Sequence, residues 1–291
     1  MSKNLICLKS ERPSNPSLAV LVRVKNEGKA LREFWNRLSS QTIFVNLEIV
    51  FLDSGSTDGS LEFLKQLPIT LYQIPSEDFN FGGSCNLLMS VSHAQVVAFL
   101  SGHVLLEQTD ALETLHAFLA KHESAAAFLR QVPNTLWGAT IYEKAYLARR
   151  FPLKRGGGAI EVTTPRGFSN AASGLTRTAW QRTPFPEMHG SEDRAWAQQH
   201  LQRGGRLFYL SSPFVMHSHV SSSEETFSRV LLNVHALRVK GSYFRAGYYL
   251  IGVFTSMLCH GSSLAEAWRY ASAHARAYLP KWEEQKINDA K

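Results

Sequence analysis

The sequence predicts an α/β fold: a mostly parallel central sheet flanked by helices, followed by a C-terminal helical extension. Three observations carry this. Over the first 130 residues, short β-rich runs alternate with segments whose apolar residues recur at helical spacing. One run, residues 96–100, has no polar position, as a strand covered on both faces requires. From about Ser222 the composition turns helical.

The elements follow in order. Residues 18–24 read as a buried strand, and Lys25-Asn26-Glu27-Gly28 as the turn after it. Leu31, Phe34, Trp35 and Leu38 then mark a helix. Residues 48–53 form a second strand that runs into Asp53-Ser54-Gly55-Ser56-Thr57-Asp58-Gly59, a dense turn signal. A helix around Leu61, Phe63 and Leu64 closes at Pro68, and residues 70–74 make a third strand. Gly82-Gly83 opens a helix to about Ser92, and the apolar strand follows. Leu112, Leu115 and Leu119 mark the next helix, and residues 125–131 another strand. Residues 133–168, rich in Gly, Pro, Arg and aromatics, read as an irregular segment of the kind that forms lids or substrate loops. Glu192-Asp193 begins a helix stopped by Gly204-Gly205, and residues 206–210 and 214–216 read as two short strands. The expected division is a first domain over 1–220 and a helical extension over 221–291.

With 44% hydrophobic and 19% charged residues, the 291-residue chain belongs among globular proteins rather than disordered or fibrous ones. The longest nearly apolar stretch, residues 248–259, is shorter than the ~20 residues a bilayer span needs. The first residues lack an apolar signal core, and the three cysteines are scattered, so a cytoplasmic, reducing location is expected. The first 150 residues carry equal numbers of acidic and basic side chains, so the whole net charge of +7 lies in the remainder. That asymmetry suits an anionic partner: nucleic acid, a phospholipid surface or a phosphorylated small molecule. No helix-turn-helix, zinc or RNA-binding signature supports specific nucleic-acid binding.

In parallel sheets, ligands sit beyond the carboxyl ends of the strands, which puts residues 25–27, 53–58 and 101–103 on one rim. Asp53 ends a strand too far before the next helix to cap it and suits hydrogen bonding to a ribose or base, whereas Asp58 also reads as a helix cap. His103 follows the apolar strand; His217 and His219, read as alternate residues of a strand, would face one side. Imidazoles favour manganese over magnesium. Glu192-Asp193 at a helix start offers a base or a simple cap. Asn86 and Asn170 are further candidates for hydrogen bonding to a ligand.

Together these pieces resemble the family-2 glycosyltransferases of the GT-A (Rossmann-like) fold, and among them bacterial rhamnosyltransferase-like members. The resemblance runs from about residue 18 to 219. Arg23, Asn26 and Glu27 stand in the donor-binding turn after the first strand, and the run Asp53-Ser54-Gly55-Ser56 places Asp53 where the nucleotide is contacted. Phe79-Asn80-Phe81-Gly82-Gly83-Ser84-Cys85-Asn86 is similar to the stretch opening the next helix. Gly190-Ser191-Glu192-Asp193 resembles the Glu-Asp motif, which implies Asp193 as catalytic base beside Glu192. Two departures stand out: Ser101-Gly102-His103 replaces the family's Asp-x-Asp, and Cys85 stands where a basic residue is common.

The resemblance implies inverting transfer of a sugar, rhamnose first, from a nucleoside-diphosphate donor to a hydroxyl of a glycan or lipid-linked acceptor in surface-polysaccharide synthesis. A divalent metal (Mn or Mg) would be held by His103 with His219 or His217. A metal-independent site, with basic side chains offsetting the diphosphate, stays open. So does a catalytically degenerate fold acting as a sugar-nucleotide-binding or scaffold protein. The basic, aromatic tail offers a peripheral contact with the inner face of the cytoplasmic membrane. Its candidate face, Phe244, Tyr248, Ile251, Phe254 and Leu258, is expected instead to pack on the catalytic domain.

Overall fold

The computed structural model describes residues 4–154, 156, 158–219 and 221–280. Arg155 and Gly157 of the glycine run, Val220 at the expected boundary, and residues 281–291 of the expected extension lie outside the described residues. The strands are β1 (Ile6–Lys9), β2 (Leu18–Val24), β3 (Leu47–Asp53), β4 (Thr70–Gln73), β5 (Val96–Ser101), β6 (Leu105–Leu106), β7 (Ala125–Val132), β8 (Ala159–Val162), β9 (Ala172–Thr176) and β10 (Arg206–Met216). The helices are α1 (Gly28–Ser39), α2 (Ser60–Lys65), α3 (Phe81–Val91), α4 (Ala111–Leu119), α5 (Ile141–Arg150), α6 (Arg177–Arg182), α7 (Glu192–Gln202), α8 (Ser223–Ala236), α9 (Tyr243–Cys259) and α10 (Leu264–Arg276).

The chain divides into two compact units, Met1–Gln131 with Leu153–His217, and Val132–Pro152 with Ser218–Lys291. In the first unit the strands form one mixed sheet in the order β1-β4-β3-β2-β5-β9-β7-β10-β6, with β8 on β10. Strands β4, β3, β2 and β5 are mutually parallel, and their almost wholly buried sequences suit a sheet covered on both faces. On one face α1 buries Leu31, Phe34 and Leu38, and Phe34 meets Phe51 of β3 edge-on at 6.2 Å. Strand β9 runs antiparallel to both β5 and β7. These two reversals return β7 to the direction of β5, so its carboxyl end points to the same rim.

Two local readings of the sequence are corrected here. Residues 206–216 form one strand rather than two, although Ser211-Ser212-Pro213 reads as a break. Tertiary pairing carries it through: residues 207–210 pair with β8 and residues 215–216 with β6. Because β10 ends at Met216, His217 and His219 are not strand residues, and the alternation argument does not apply to them.

The segment 133–168, expected to be irregular, contains α5 and β8. The Thr140 hydroxyl caps α5 by accepting the Glu143 N–H at 3.1 Å, a signal masked by the surrounding Gly, Pro and Trp. In the second unit, Tyr142 and Ala145 of α5 pack with Val253 and Met257 of α9 and Ala267, Tyr270 and Ala271 of α10. This unit therefore holds residues 132–152 as well as the C-terminal helices. A second small cluster joins Val230 and Val234 of α8 to Ala277.

Candidate active site

The turn after β3 is organised around Asp53, which is fully buried. Its carboxylate accepts the N–H groups of Gly55 at 3.0 Å and Ser56 at 3.1 Å, and the amide of Gln73 at 3.3 Å. Gly55 has a left-handed φ of 85°, and a Cβ there would fall 2.9 Å from the Ser76 hydroxyl, so both conformation and space select glycine. The neighbouring turn after β2 locks onto this one. The Asn26 side chain accepts the Thr57 N–H at 2.8 Å, while Asn26 N–H donates to the Ser56 hydroxyl at 3.0 Å. Asp58 accepts the Ser60 N–H at 3.0 Å, the helix-start role read for it. The Ser60 hydroxyl bond holds the Asp58 carboxyl below its ordinary range.

Beyond β5, His103 is gripped from both sides. Its Nδ1 lies 2.9 Å from Glu27 Oε2, and its Nε2 lies 3.1 Å from Nε2 of His217. The two imidazoles stack with centroids 5.1 Å apart, and His217 Nδ1 lies 2.8 Å from Gln131 Oε1. The meeting follows from register: Met216 of β10 pairs with Leu105 of β6, so the residue after Met216 comes beside the turn before Leu105. His219, two residues on, belongs to the second unit. The sequence reading does not select Gln131, although it lies one residue before the end of β7, where the carboxyl-end rule points to it.

The arrangement fits a metal centre. Glu27 only accepts, so the proton of a neutral His103 sits on Nδ1 and its Nε2 presents a lone pair. Each imidazole is oriented through its other nitrogen by a carboxylate or amide oxygen, the outer-shell support usual for histidine ligands. Two nitrogens about 2.1 Å from one ion and at a right angle lie about 3.0 Å apart, close to the observed 3.1 Å.

At the start of α7 the two carboxylates of the Glu-Asp pair take different surroundings. Glu192 is buried; its Oε1 lies 3.0 Å from Nη1 of Arg23 and 3.4 Å from the Asn170 amide. Arg23, at the carboxyl end of β2, also donates to the Phe81 carbonyl at 2.8 Å and lies over the Phe81 ring. Burial pulls the Arg23 guanidinium down, but the adjacent Cys85, Glu192 and Asp193 outweigh it and hold it above its ordinary value. Burial pushes the Cys85 thiol up to about 12, so it stays neutral. Asp193 is only partly buried; its oxygens accept the N–H of Arg194 at 2.6 Å and of Asn170 at 3.3 Å.

Asn170 is held near this rim because Ala171 accepts the Ser101 N–H at 3.1 Å. Asn86 is spent internally, bonded to both N–H and C=O of Phe185 and to the Trp180 indole. A Cβ on Gly82 would fall 1.8 Å from the Pro186 carbonyl oxygen, so only glycine lets the segment leading to Glu192 lie against α3.

Arg23, Asn26, Glu27, Asp53, His103, Asn170, Glu192 and Asp193 thus gather at the carboxyl ends of β2, β3 and β5. Residues 19–172, just over half of the chain, match the model of the family described as Glycosyl transferase family 2. The chain belongs to that family. It is similar to the O-antigen chain rhamnosyltransferase RfbN of Salmonella typhimurium, 26% identical over 226 residues that cover 73% of this chain and 69% of that protein. The O-antigen chain rhamnosyltransferase WbaN of Salmonella anatum is 24% identical over 74% of this chain and 70% of its own.

Among solved structures, the mannosyltransferase PcManGT from Pyrobaculum calidifontis, in complex with GDP-Man and Mn2+, superposes with a TM-score of 0.59 at 17% identity. It covers 96% of this chain and 75% of that one. S. aureus TarS 1-349 in complex with UDP-GlcNAc gives 0.54 at 16% identity, over 92% and 90%. The fold is the GT-A fold, and the protein is a glycosyltransferase.

Proposed function

We propose that this glycosyltransferase moves a sugar, with inversion, from a nucleoside-diphosphate donor to a hydroxyl of a glycan or lipid-linked acceptor, with Asp193 as the base. The observation that carries this reading is the division within the Glu-Asp pair. Glu192 is buried against Arg23, while the adjacent Asp193 keeps access to solvent at the rim. Asp193 takes the proton of the acceptor hydroxyl as that oxygen bonds to the anomeric carbon. The bond from that carbon to the diphosphate breaks, and its electron pair leaves with the diphosphate. Glu192 and Arg23 act as positioning residues that hold the start of α7 against the end of β2. The backbone N–H groups of Asn170 and Arg194 hold the two oxygens of the Asp193 carboxylate.

The donor is proposed to bind along the turns at Asn26 and Asp53. Asp53 and the backbone it holds would form the nucleotide pocket, and Glu27 would orient His103. His103 and His217 would hold a divalent metal, manganese before magnesium. When bound, such an ion offsets the charge developing on the leaving diphosphate. A metal-independent site would need cationic side chains for that charge, and Arg23 is already committed to Glu192. Rhamnose is the first sugar to test, since both curated relatives are named rhamnosyltransferases.

Asp193→Asn is expected to lower kcat by roughly 100- to 10,000-fold while the dissociation constant for the donor, titrated by calorimetry, stays within about twofold. Normal turnover in that variant overturns the base assignment. Thermal shifts with nucleoside-diphosphate sugars, with and without manganese, identify the donor and the metal together. Wild-type protein that binds a donor but transfers to no acceptor and hydrolyses none would return the scaffold reading.

A further inference from the structure

Helix α9 carries a single charged residue, Arg245, in its seventeen positions. Its inner face, Ala246, Val253 and Met257, is buried, and Phe254 and Leu258 pack against the helical core of the second unit. The face read from sequence as one surface is therefore split. Phe244, Tyr248 and Ile251, at spacings of four and three, stay 86%, 66% and 66% exposed. Tyr243 is exposed beside them, and α10, packed against α9, adds exposed Leu264 and Trp268. The Trp268 ring lies 6.3 Å from Phe254, which ties the two helices' aromatic rows together.

The four exposed aromatic rings leave on the order of 500 Å² uncovered, as much as the largest apolar patch of a typical monomer. Between Glu225 and Glu266 there is no acidic residue, while Arg229, Arg238, Lys240 and Arg245 all fall in that stretch. Arg229 is paired with Glu143; Arg238 and Lys240 are exposed just before the aromatic stripe, and Arg269 is exposed next to Trp268.

We propose that this stripe of α9, with Leu264 and Trp268 of α10, is a docking face for an anionic phospholipid surface. The exposed Phe, Tyr and Trp are flanked by Arg238, Lys240 and Arg269, which outnumber the carboxylate of Glu266. Glu266 lies between Leu264 and Trp268 and accepts the Ser262 hydroxyl at 2.9 Å, and the composition as a whole suits the headgroup boundary. A second copy of the same face would set these cations against each other, so charge complementarity selects lipid over self-association. No helix among the described residues is long and apolar enough to cross a membrane, so the contact lies along the surface. The proposal stands independently of the donor, the acceptor and the base.

Co-sedimentation of the full chain with phosphatidylcholine vesicles, with and without phosphatidylglycerol, tests it. Binding is expected only to the anionic vesicles, and a rise in salt from about 50 to 500 mM should release the protein. The variant Phe244→Ser/Tyr248→Ser/Ile251→Ser and the charge reversal Arg238→Glu/Lys240→Glu are each expected to weaken binding by roughly tenfold or more. The charge reversal touches only exposed side chains and provides the test should the triple variant misfold. Wild-type protein that ignores anionic vesicles at low salt overturns the proposal, as does a charge-reversed variant that binds them like wild type. A dimer in sedimentation velocity that the serine variant dissolves, without vesicle binding by the wild type, assigns the face to a second copy instead.

Discussion

Both units contain an arginine that meets a buried glutamate, and the pairs Arg23–Glu192 and Arg229–Glu143 differ in what surrounds them. In the sheet unit, Arg23 and Glu192 lie 3.0 Å apart, and the residue after Glu192 is the partly exposed Asp193. In the helical unit, Glu143 of α5 meets Arg229 of α8 among aromatic and apolar side chains, next to the Tyr142–His274 hydrogen bond of 2.7 Å. Burial pushes the Glu143 carboxyl up, against the pull of Arg229. The same chemistry therefore serves two ends. One pair sets the helix start that carries the proposed base, Asp193, while the other joins α5 to α8. Buried pairs of this kind are weak evidence of stabilisation, since matched apolar residues often do as well, but removal of one partner strands a charge.

The contrast breaks most sharply at Arg23. Arg23→Met should cost about 3–5 kcal/mol in chemical denaturation by stranding Glu192, and turnover should collapse. The double variant Arg23→Met/Glu192→Leu is expected to recover most of the stability but none of the turnover; recovery of both would make this pair purely structural. At the other pair, Arg229→Met should cost about 2 kcal/mol, less because the Arg229 side chain is one-third exposed. Here Arg229→Met/Glu143→Leu should regain stability with donor turnover unchanged throughout, and a fall in kcat would break the distinction.

Acid sensitivity separates the units next. Burial, with Arg149 and Arg229 nearby, pushes His274 down to about 3, so the folded state keeps it neutral while the unfolded chain protonates it near pH 6.5. The stability it contributes is present above pH 6.5 and is lost as pH falls towards 3, by up to about 1.4 kcal/mol per pH unit. His274→Gln should flatten that part of the curve in thermal melts between about pH 6 and 4; an unchanged slope would show that the histidine takes no part. Smallest is Ser222→Ala, which removes the capping box of α8 and should cost about 1 kcal/mol with no change in kcat.

Much of the fold was legible because its signals are local. The apolar runs of β2, β3 and β5, the turn chemistry around Asp53 and the helix start at Glu192 each depend on neighbours within a few residues. Helix α5 was equally local but was hidden by its setting, where Gly, Pro and Trp outweighed a sound Thr140 cap. Gln131 gave only positional notice, because its direction in the sheet depends on two antiparallel reversals through β9.

The sequence by itself determined which residues reach the rim of the sheet, since strand ends and turns are written in short-range pattern. Only the tertiary structure decided what each does there. It turned Glu192 inward to Arg23 and left Asp193 at the surface, and it brought His103 to His217 across 114 positions through one strand pairing. It also divided one apolar face of α9 into a packed half and an exposed half. Such outcomes are set by strand order, register and helix docking, which join residues far apart in the chain and so leave little trace in local pattern.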